Sequence, residues 1–424
     1  MKTIMELLRQ NPQVSDYKIN IHQKESCELF FVKGKLETVR RTKTCDKEVT
    51  VYVEHDGFKG DSKFFVYPST TTEQIRTLIG ECVAKALLIN NQTYTLPGAE
   101  SGHFEVRSNF VGASPIDLAT RISDTVFAAN RIPCASLNSV EIFVNKHTET
   151  IVNSRGLDKS QVRYDAMVEA IPTYNGETQS VELYEQYNFN NLDTEELTRE
   201  IAGKMAEVEA RYEAVKPDFA LDCNVILGKL ELSELFSNIA RNLNYTSVYT
   251  HTNLFKKGDM VQKAPEEDRI GMVMAGEVTG SVKSSRFDSD GLSLDSIRIL
   301  EAGKVVNYYG SNRFGQYLGE QPTGTLPCLC VDAGTADADA FRQGASLEVV
   351  SMSGLQVDFY NDYIGGEVRL AYYHDGSKTI PVTGISISGK LSEVLNHIRL
   401  SAETAVHNGY SGPRKALLSH MKIF

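Results

Sequence analysis

Residues 225–244 read VILGKLELSELFSNIARNLN, and this stretch decides how the second half of the chain begins. Three apolar residues before Gly228 predict a short buried strand. The residues after this glycine predict an amphipathic helix, because the apolar ones recur at helical spacing: Leu232, Leu235, Phe236, Ile239 and Leu243. Three polar residues lie off this apolar stripe and are free to face a cleft or solvent: Ser237, Asn238 and Asn242.

Upstream of this stretch the sequence alternates between strand and helix patterns. Apolar residues alternate through 17–67, with an Asp56-Gly57 turn, and again through 140–152 and 162–189. Helices are predicted after Pro68, from Ser114, and over 193–215. Strands separated by covering helices predict an α+β fold, with an N-terminal mixed domain of antiparallel sheet over residues 1–215.

Downstream of residue 268 the chain consists mostly of short apolar runs separated by glycines. This pattern predicts a curved sheet, so we expect a C-terminal β-rich, barrel-like domain over residues 216–424. A closing helix is predicted from Leu391 to about Ala405. Pro217-Asp218 is the predicted boundary between the domains.

Composition narrows the class of protein. The 424 residues carry a net charge of -11 with no long basic run, which disfavours direct nucleic-acid binding. No apolar run is long enough to span a membrane, and 1–11 is too short and charged for a signal peptide. Seven widely spaced cysteines do not resemble a disulfide scaffold, so we expect a cytoplasmic protein.

Two short motifs resemble ligand-binding loops but are better explained as turns. Residues 384–390, GISISGK, have phosphate-loop spacing, but Leu391 stands where Ser or Thr would hold Mg²⁺. Residues 288–291, DSDG, resemble the start of a calcium loop, but Ile299 stands where a bidentate glutamate is needed. We therefore predict a glycine turn at the first and an acidic turn at the second.

Cys328 and Cys330 are predicted to share one face of a strand. They leave open a hydrolase whose metal site or nucleophile is assembled from distant segments, including a late histidine. The alternative is that both thiols are small buried residues. The nine histidines are far apart in sequence, so no zinc helix is predicted.

Four segments, in order along nearly the whole chain, resemble the TldD/PmbA family, known as modulators of DNA gyrase. Residues 286–310, RFDSDGLSLDSIRILEAGKVVNYYG, resemble its C-terminal domain. The other three are KGKLE at 33–37, IVNSRG at 151–156 and GISISGKLSEVL at 384–395.

This resemblance implies a cytoplasmic peptidase system in which TldD-like and PmbA-like (TldE) chains pair around a closed cavity. TldD-like chains carry an H-E-x-x-x-H zinc motif on the helix that corresponds to the one after Gly228. Here the matching positions hold Ser237, Asn238 and Asn242, and residues 408–415 lack the family's further cysteine ligand. The resemblance therefore implies a PmbA-like chain with no catalytic residue, no metal and no cofactor of its own.

We accordingly expect a non-catalytic subunit, with zinc only in a TldD-like partner. The expected partner is either a TldD-like subunit that carries H-E-x-x-x-H or a second copy of this chain. The expected substrates are extended peptides. Two alternatives remain open at this point. One is a gyrase-modulating or other protein-binding regulator without chemistry, and the other is the hydrolase with a site assembled from distant segments.

Overall fold

The computed structural model describes residues 1–129 and 132–424. In the N-terminal half, eight strands form one sheet in the order β3-β2-β1-β5-β6-β4, with β7 and β8 also paired to β6. These strands are β1 (Asp16–Val32), β2 (Lys35–His55), β3 (Phe58–Val66), β4 (Ser101–Glu105), β5 (Ala135–Asn153), β6 (Asp158–Asn175), β7 (Ser180–Glu182) and β8 (Glu185–Phe189). All pairings are antiparallel except that between β4 and β6.

Four helices cover this sheet in two groups: α1 (Lys2–Gln10), α2 (Thr72–Ala86), α3 (Pro115–Ala128) and α4 (Thr194–Glu213). The first two pack with β1 to β3 in one apolar core, and the last two pack with β1, β5 and β6 in another. The predicted helix starts are confirmed, because Ser114 caps α3 and Asp193 caps α4. Asp56 and Gly57 both have positive φ, as the predicted tight hairpin turn requires.

The C-terminal half contains two further sheets. The six-stranded sheet has the order β12-β11-β10-β13-β21-β20, and the nine-stranded sheet has β19-β22-β9-β14-β16-β18-β23, with β15 and β17 also paired to β16. The strands are β9 (Asn224–Gly228), β10 (Met272–Ala275), β11 (Ser296–Glu301), β12 (Lys304–Val305), β13 (Cys328–Val331), β14 (Ala345–Met352), β15 (Gln356–Asp358), β16 (Tyr363–Asp375), β17 (Thr379–Val382), β18 (Ile385–Lys390), β19 (Arg399–Leu400), β20 (Thr404–His407), β21 (Tyr410–Pro413), β22 (Lys415–Leu418) and β23 (Lys422–Ile423).

Four α-helices belong to this half: α5 (Lys229–Asn242), α6 (Tyr245–Tyr249), α7 (Asn312–Leu318) and α8 (Leu391–Asn396). A short 3₁₀ helix covers Ala338–Arg342. The apolar stripe of α5 is fully buried in a core shared with strands of both sheets. The α+β fold is therefore confirmed, with a curled half-barrel sheet and further sheets, and the C-terminal half is rich in short strands as predicted.

The closing helix is shorter than predicted. It ends at Asn396, and the chain then pairs as strands, with Ser401 N–H donating to Lys415 O and Arg414 N–H donating to Glu403 O. Ile398 and Leu400 are buried in the C-terminal core, so tertiary packing decides the structure of this stretch.

The glycine turn and the acidic turn both have the predicted character. Gly384 has φ of +68° and residues 385–390 form β18, so this segment is a strand rather than a phosphate loop. Gly291 has φ of +87°, and its N–H donates to Asp288 O. The acidic turn also joins the halves, because Lys18 Nζ lies 2.6 Å from an Asp290 carboxylate oxygen.

Candidate functional site

The polar face of α5 carries the three predicted positions, and all three are half-buried. Asn238 Nδ2 donates to Glu234 Oε1 at 2.8 Å and to Glu234 O at 2.9 Å. Arg241 also binds this carboxylate, with Nη2 at 3.0 Å from Oε1. Asn238 therefore belongs to a local helix-surface network that holds the Glu234 side chain.

Asn242 lies one turn further along and ties two segments together. Its Nδ2 donates to Asn238 O at 3.1 Å, and its Oδ1 accepts from Leu254 N–H at 2.9 Å. The second bond fixes the chain that follows α6 against the end of α5. Both amide atoms of the Asn242 side chain are therefore used in hydrogen bonds within the protein.

These side chains do not fit a zinc ion. Zinc hydrolysis requires His, Cys or carboxylate ligands and a carboxylate that takes a proton from bound water. The neutral amides of Asn238 and Asn242 are weak ligands, and asparagine is not a base near neutral pH. Within residues 1–129 and 132–424, no three His, Cys, Asp or Glu side chains converge as a metal site.

The two strand cysteines do not form an activated pair. Cys328 is buried with its Sγ 3.4 Å from Ser281 Oγ, and burial raises the pKa of its thiol. Burial, with smaller contributions from Cys328 and Asp332, raises the pKa of Cys330 to about 11. Because the thiolate is the reactive form, both cysteines are protonated and weakly nucleophilic at neutral pH.

A groove of about 410 Å³ opens beside the first turn of α5. Its two long walls are β8 and β20, each at the edge of its own sheet. Across the described residues, β8 pairs only with β6 and β20 only with β21. Two open strand edges therefore face a single groove.

Ion pairs line the same groove and connect α4 to the C-terminal half. Lys229 Nζ, on the first residue of α5, lies 2.7 Å from Glu200 Oε1, and Arg414 Nη2 lies 2.9 Å from Glu196 Oε1. His407 lies among these groups, where burial, and then Lys229, lower its pKa. This histidine is consequently neutral at pH 7.

A second cavity, of about 650 Å³, lies between the N-terminal sheet and the loops around residues 282–289 and 325–327. His22, Glu149, Arg163 and Asp165 line its sheet wall. Sequence reasoning missed this cluster and the groove because each combines residues more than a hundred positions apart. The available signal was polar residues at alternate positions of predicted strands, which identifies a polar face but not its partners.

The C-terminal half of the chain, which contains α5, is similar to a known domain family. Residues 221–423 match the model of the PmbA/TldA metallopeptidase C-terminal domain. The chain therefore has the fold of the TldD/PmbA family, with the family's C-terminal domain in its second half. No curated protein sequence matched the chain.

Three solved structures extend this similarity over the whole chain. TldE from Thermococcus kodakarensis is 15% identical, with a TM-score of 0.81 over 99% of each chain. A protein described as a modulator of DNA gyrase from Thermotoga maritima is 14% identical, with a TM-score of 0.78 over 100% of this chain and 99% of that one. Its counterpart from Bacteroides thetaiotaomicron is 11% identical, with a TM-score of 0.80 over 100% and 97%.

Among the helices in the part of the chain that the structure describes, none has both the length and the apolar character to cross a bilayer.

Proposed function

We propose that this chain is a PmbA/TldE-like, non-catalytic subunit of a TldD/PmbA-type zinc metallopeptidase system that acts on peptides in the cytoplasm. The observation that carries the proposal is the chemistry of α5. At the positions matching the family's H-E-x-x-x-H motif, the chain has Ser237, Asn238 and Asn242. Both asparagines are committed to hydrogen bonds with neighbouring protein groups.

The partner in this proposal is a TldD-like subunit that carries the zinc motif, or a second copy of the same chain. Zinc is then bound only by a chain with the motif, and this chain contributes a binding surface. A shared fold permits either pairing, because related chains present related surfaces to each other.

The groove between β8 and β20 supports the peptide part of the proposal. An extended peptide binds an open strand edge through main-chain hydrogen bonds, which make little demand on its sequence. In the β20–β21 hairpin, His407 pairs with Tyr410 across a two-residue turn. Because hydrogen-bonded pairs alternate along an antiparallel ladder, the N–H of Val406 points away from β21 and toward the groove.

Val406→Pro tests this groove directly. Proline removes the outward N–H of Val406 and leaves the β20–β21 ladder intact, whereas Val406→Ala keeps the N–H and serves as the matched control. We expect Val406→Pro to weaken binding of a labelled, unstructured peptide and Val406→Ala to bind like the wild type. Equal binding by all three proteins would place the peptide elsewhere.

The non-catalytic role is tested by metal analysis and peptide cleavage. The purified chain should hold less than stoichiometric zinc and leave unstructured peptides intact, and cleavage should appear on mixing with an H-E-x-x-x-H chain. Stoichiometric zinc together with cleavage by the chain alone would overturn the proposal. Recovery of gyrase from cell extract without such a chain would instead favour a regulator without chemistry.

A further inference from the structure

Three adjacent strands of the N-terminal sheet bring polar side chains to one wall of the 650 Å³ cavity. His22 is on β1, His147 on β5 and Asp165 on β6. The registers place Lys24 opposite His147, and Asn145 opposite Asp165. Because alternate residues share a face, the three side chains lie in a row across the sheet.

Hydrogen bonds connect the row from the Asp165 carboxylate through the buried His147 ring to the half-exposed His22 ring. His147 Nε2 lies 2.5 Å from Asp165 Oδ2, and His147 Nδ1 lies 2.9 Å from His22 Nε2. Asn145 Nδ2 donates to Asp165 Oδ1 at 2.6 Å. The side chains of Asp165, His147 and His22 are 20%, 9% and 41% exposed, so the middle of the row is buried and both of its ends reach the cavity.

The two rings are arranged end to end in one plane. Their planes differ by 5°, and their centroids are 5.1 Å apart while the facing nitrogens are 2.9 Å apart. The difference between these distances is about the sum of the two centroid-to-nitrogen spans, so the two nitrogens lie almost on the line joining the centroids. This is the geometry of a shared N–H···N hydrogen bond. Two ligands of one metal ion would instead converge at an angle.

The charge of the Asp165 carboxylate determines which ring nitrogens donate and which accept hydrogen bonds. Although burial opposes it, hydrogen bonds from His147 and Asn145 lower the pKa of Asp165, so Asp165 is an ionised acceptor at neutral pH. His147 therefore donates through Nε2, and in its neutral form it accepts at Nδ1 from His22 Nε2–H. The remaining ring nitrogen of His22, Nδ1, is then a free acceptor at the end of the row.

We propose that this Asp165–His147–His22 relay recognises a primary ammonium group, namely the amino terminus of a peptide held in the cavity. The inference rests on the proposed peptide function. An ammonium group offers three N–H donors and a positive charge to the acceptor end of the relay. His22 offers a lone pair as the hydrogen-bond acceptor, and the negative charge of Asp165 attracts the ammonium group.

Protonation of the relay controls this recognition. The facing nitrogens of the two rings are 2.9 Å apart, so a positive charge on one ring disfavours a positive charge on the other. Burial, and then His147, lower the pKa of His22, so His22 is neutral at pH 7. The charged groups that face it come from β1, β2, β5, β6 and the opposite wall: Lys24, Asp46, Glu149, Arg163, Lys283 and Asp288. Arg163 is paired with Glu149 at 2.9 Å, so these two charges largely offset each other.

The experiment compares one unstructured peptide with a free amino terminus and the same peptide with an acetylated one. Binding is measured by calorimetry at pH 7 and at pH 5, on the full chain and on His22→Gln, Asp165→Asn and the control His103→Gln. His103 is an exposed histidine of β4 that bonds Ser160 and does not line the cavity.

We expect the free peptide to bind about tenfold more tightly than the acetylated one at pH 7, as for a hydrogen bond to a charged group. This preference should weaken as the pH falls to 5, disappear in the His22 and Asp165 variants, and persist in His103→Gln. If Asp165→Asn does not fold, His22→Gln decides alone, because its side chain is half-exposed. Equal binding of both peptides by the wild type would overturn the relay inference and leave peptide binding standing. No binding of either peptide would overturn the proposed function as well.

Discussion

Glu348 offers the sharpest test of the energetics of this fold. It lies on β14, is 8% exposed, and binds the side chain of Arg342 through two contacts at 2.7 and 3.1 Å. Lys415 Nζ lies 2.5 Å from its Oε1, and His374 Nε2 lies 3.3 Å from its Oε2. The carboxylate thus joins the 3₁₀ helix, β16 and β22 to β14.

The size of the effect follows from the pKa of this carboxyl. Burial alone would raise the pKa of Glu348, but Arg342 and Lys415 outweigh it and lower the pKa from 4.5 to about 2. With 1.36 kcal/mol for each tenfold change, the ionised group contributes about 3 kcal/mol to the free energy of unfolding at pH 7. Because the folded pKa is the lower one, this contribution is present above pH 4.5 and is lost as the pH falls toward 2.

Glu348→Gln should therefore lower the free energy of unfolding by about 3 kcal/mol at pH 7, which is also the range for breaking a buried ion pair. The difference should shrink to about 1.5 kcal/mol at pH 3. The assay is urea unfolding followed by circular dichroism, since the chain has no tryptophan, with hydrogen exchange of β14 and β16 to localise the effect. Glu81→Gln, an exposed change on α2, is the control and should cost less than about 0.5 kcal/mol. A loss below 1 kcal/mol at pH 7, or one that does not change with pH, would refute this reasoning.

Three further predictions concern packing, reactivity and the zinc-motif positions. Gly60→Ala should destabilise the protein by about 1–3 kcal/mol, because the new Cβ would lie 1.8 Å from Ala86 O. Gly80→Ala, on α2, meets open space and should stabilise the protein by up to about 1 kcal/mol. Thermal melting of the two variants distinguishes these effects. Iodoacetamide at pH 8 should modify the exposed Cys134 well before Cys330, as measured by peptide mass spectrometry, and faster labelling of Cys330 would contradict its raised pKa. A third prediction concerns the triple variant Ser237→His, Asn238→Glu and Asn242→His. It should gain no peptidase activity, because the distant cysteine ligand is still missing. Zinc content and peptide cleavage measure this, and robust cleavage would show that the motif on one helix suffices.

Local features were predictable wherever neighbouring residues determine them. The buried stripe of α5, the caps at Ser114 and Asp193, and the Asp56-Gly57 turn all follow from residues a few positions apart. The overlong closing helix shows the limit. Residues after Asn396 have an apolar pattern that is compatible with a helix, but they pair with β22 and form a strand. Nothing in the neighbouring residues predicts that pairing.

The candidate sites divide along the same line. Ser237, Asn238 and Asn242 could be located because a motif on one helix has fixed spacing. The groove was not predictable, since its walls, β8 and β20, are more than two hundred residues apart. The domain boundary near 215 stays a prediction, although the N-terminal sheet ends at Phe189 and the other sheets begin at Asn224.

The relay changes what the absence of a zinc motif means for this chain. A subunit that only closed a chamber would need apolar packing and a few surface ion pairs, and a polar row in its central cavity would cost stability without benefit. Yet Asp165, His147 and His22 are joined by short hydrogen bonds, and both ends of this row line the cavity. Such a network is stable only when each member is satisfied, and the last acceptor is satisfied only by water or a ligand. The N-terminal sheet, rather than α5, is therefore where a substrate group would meet this chain.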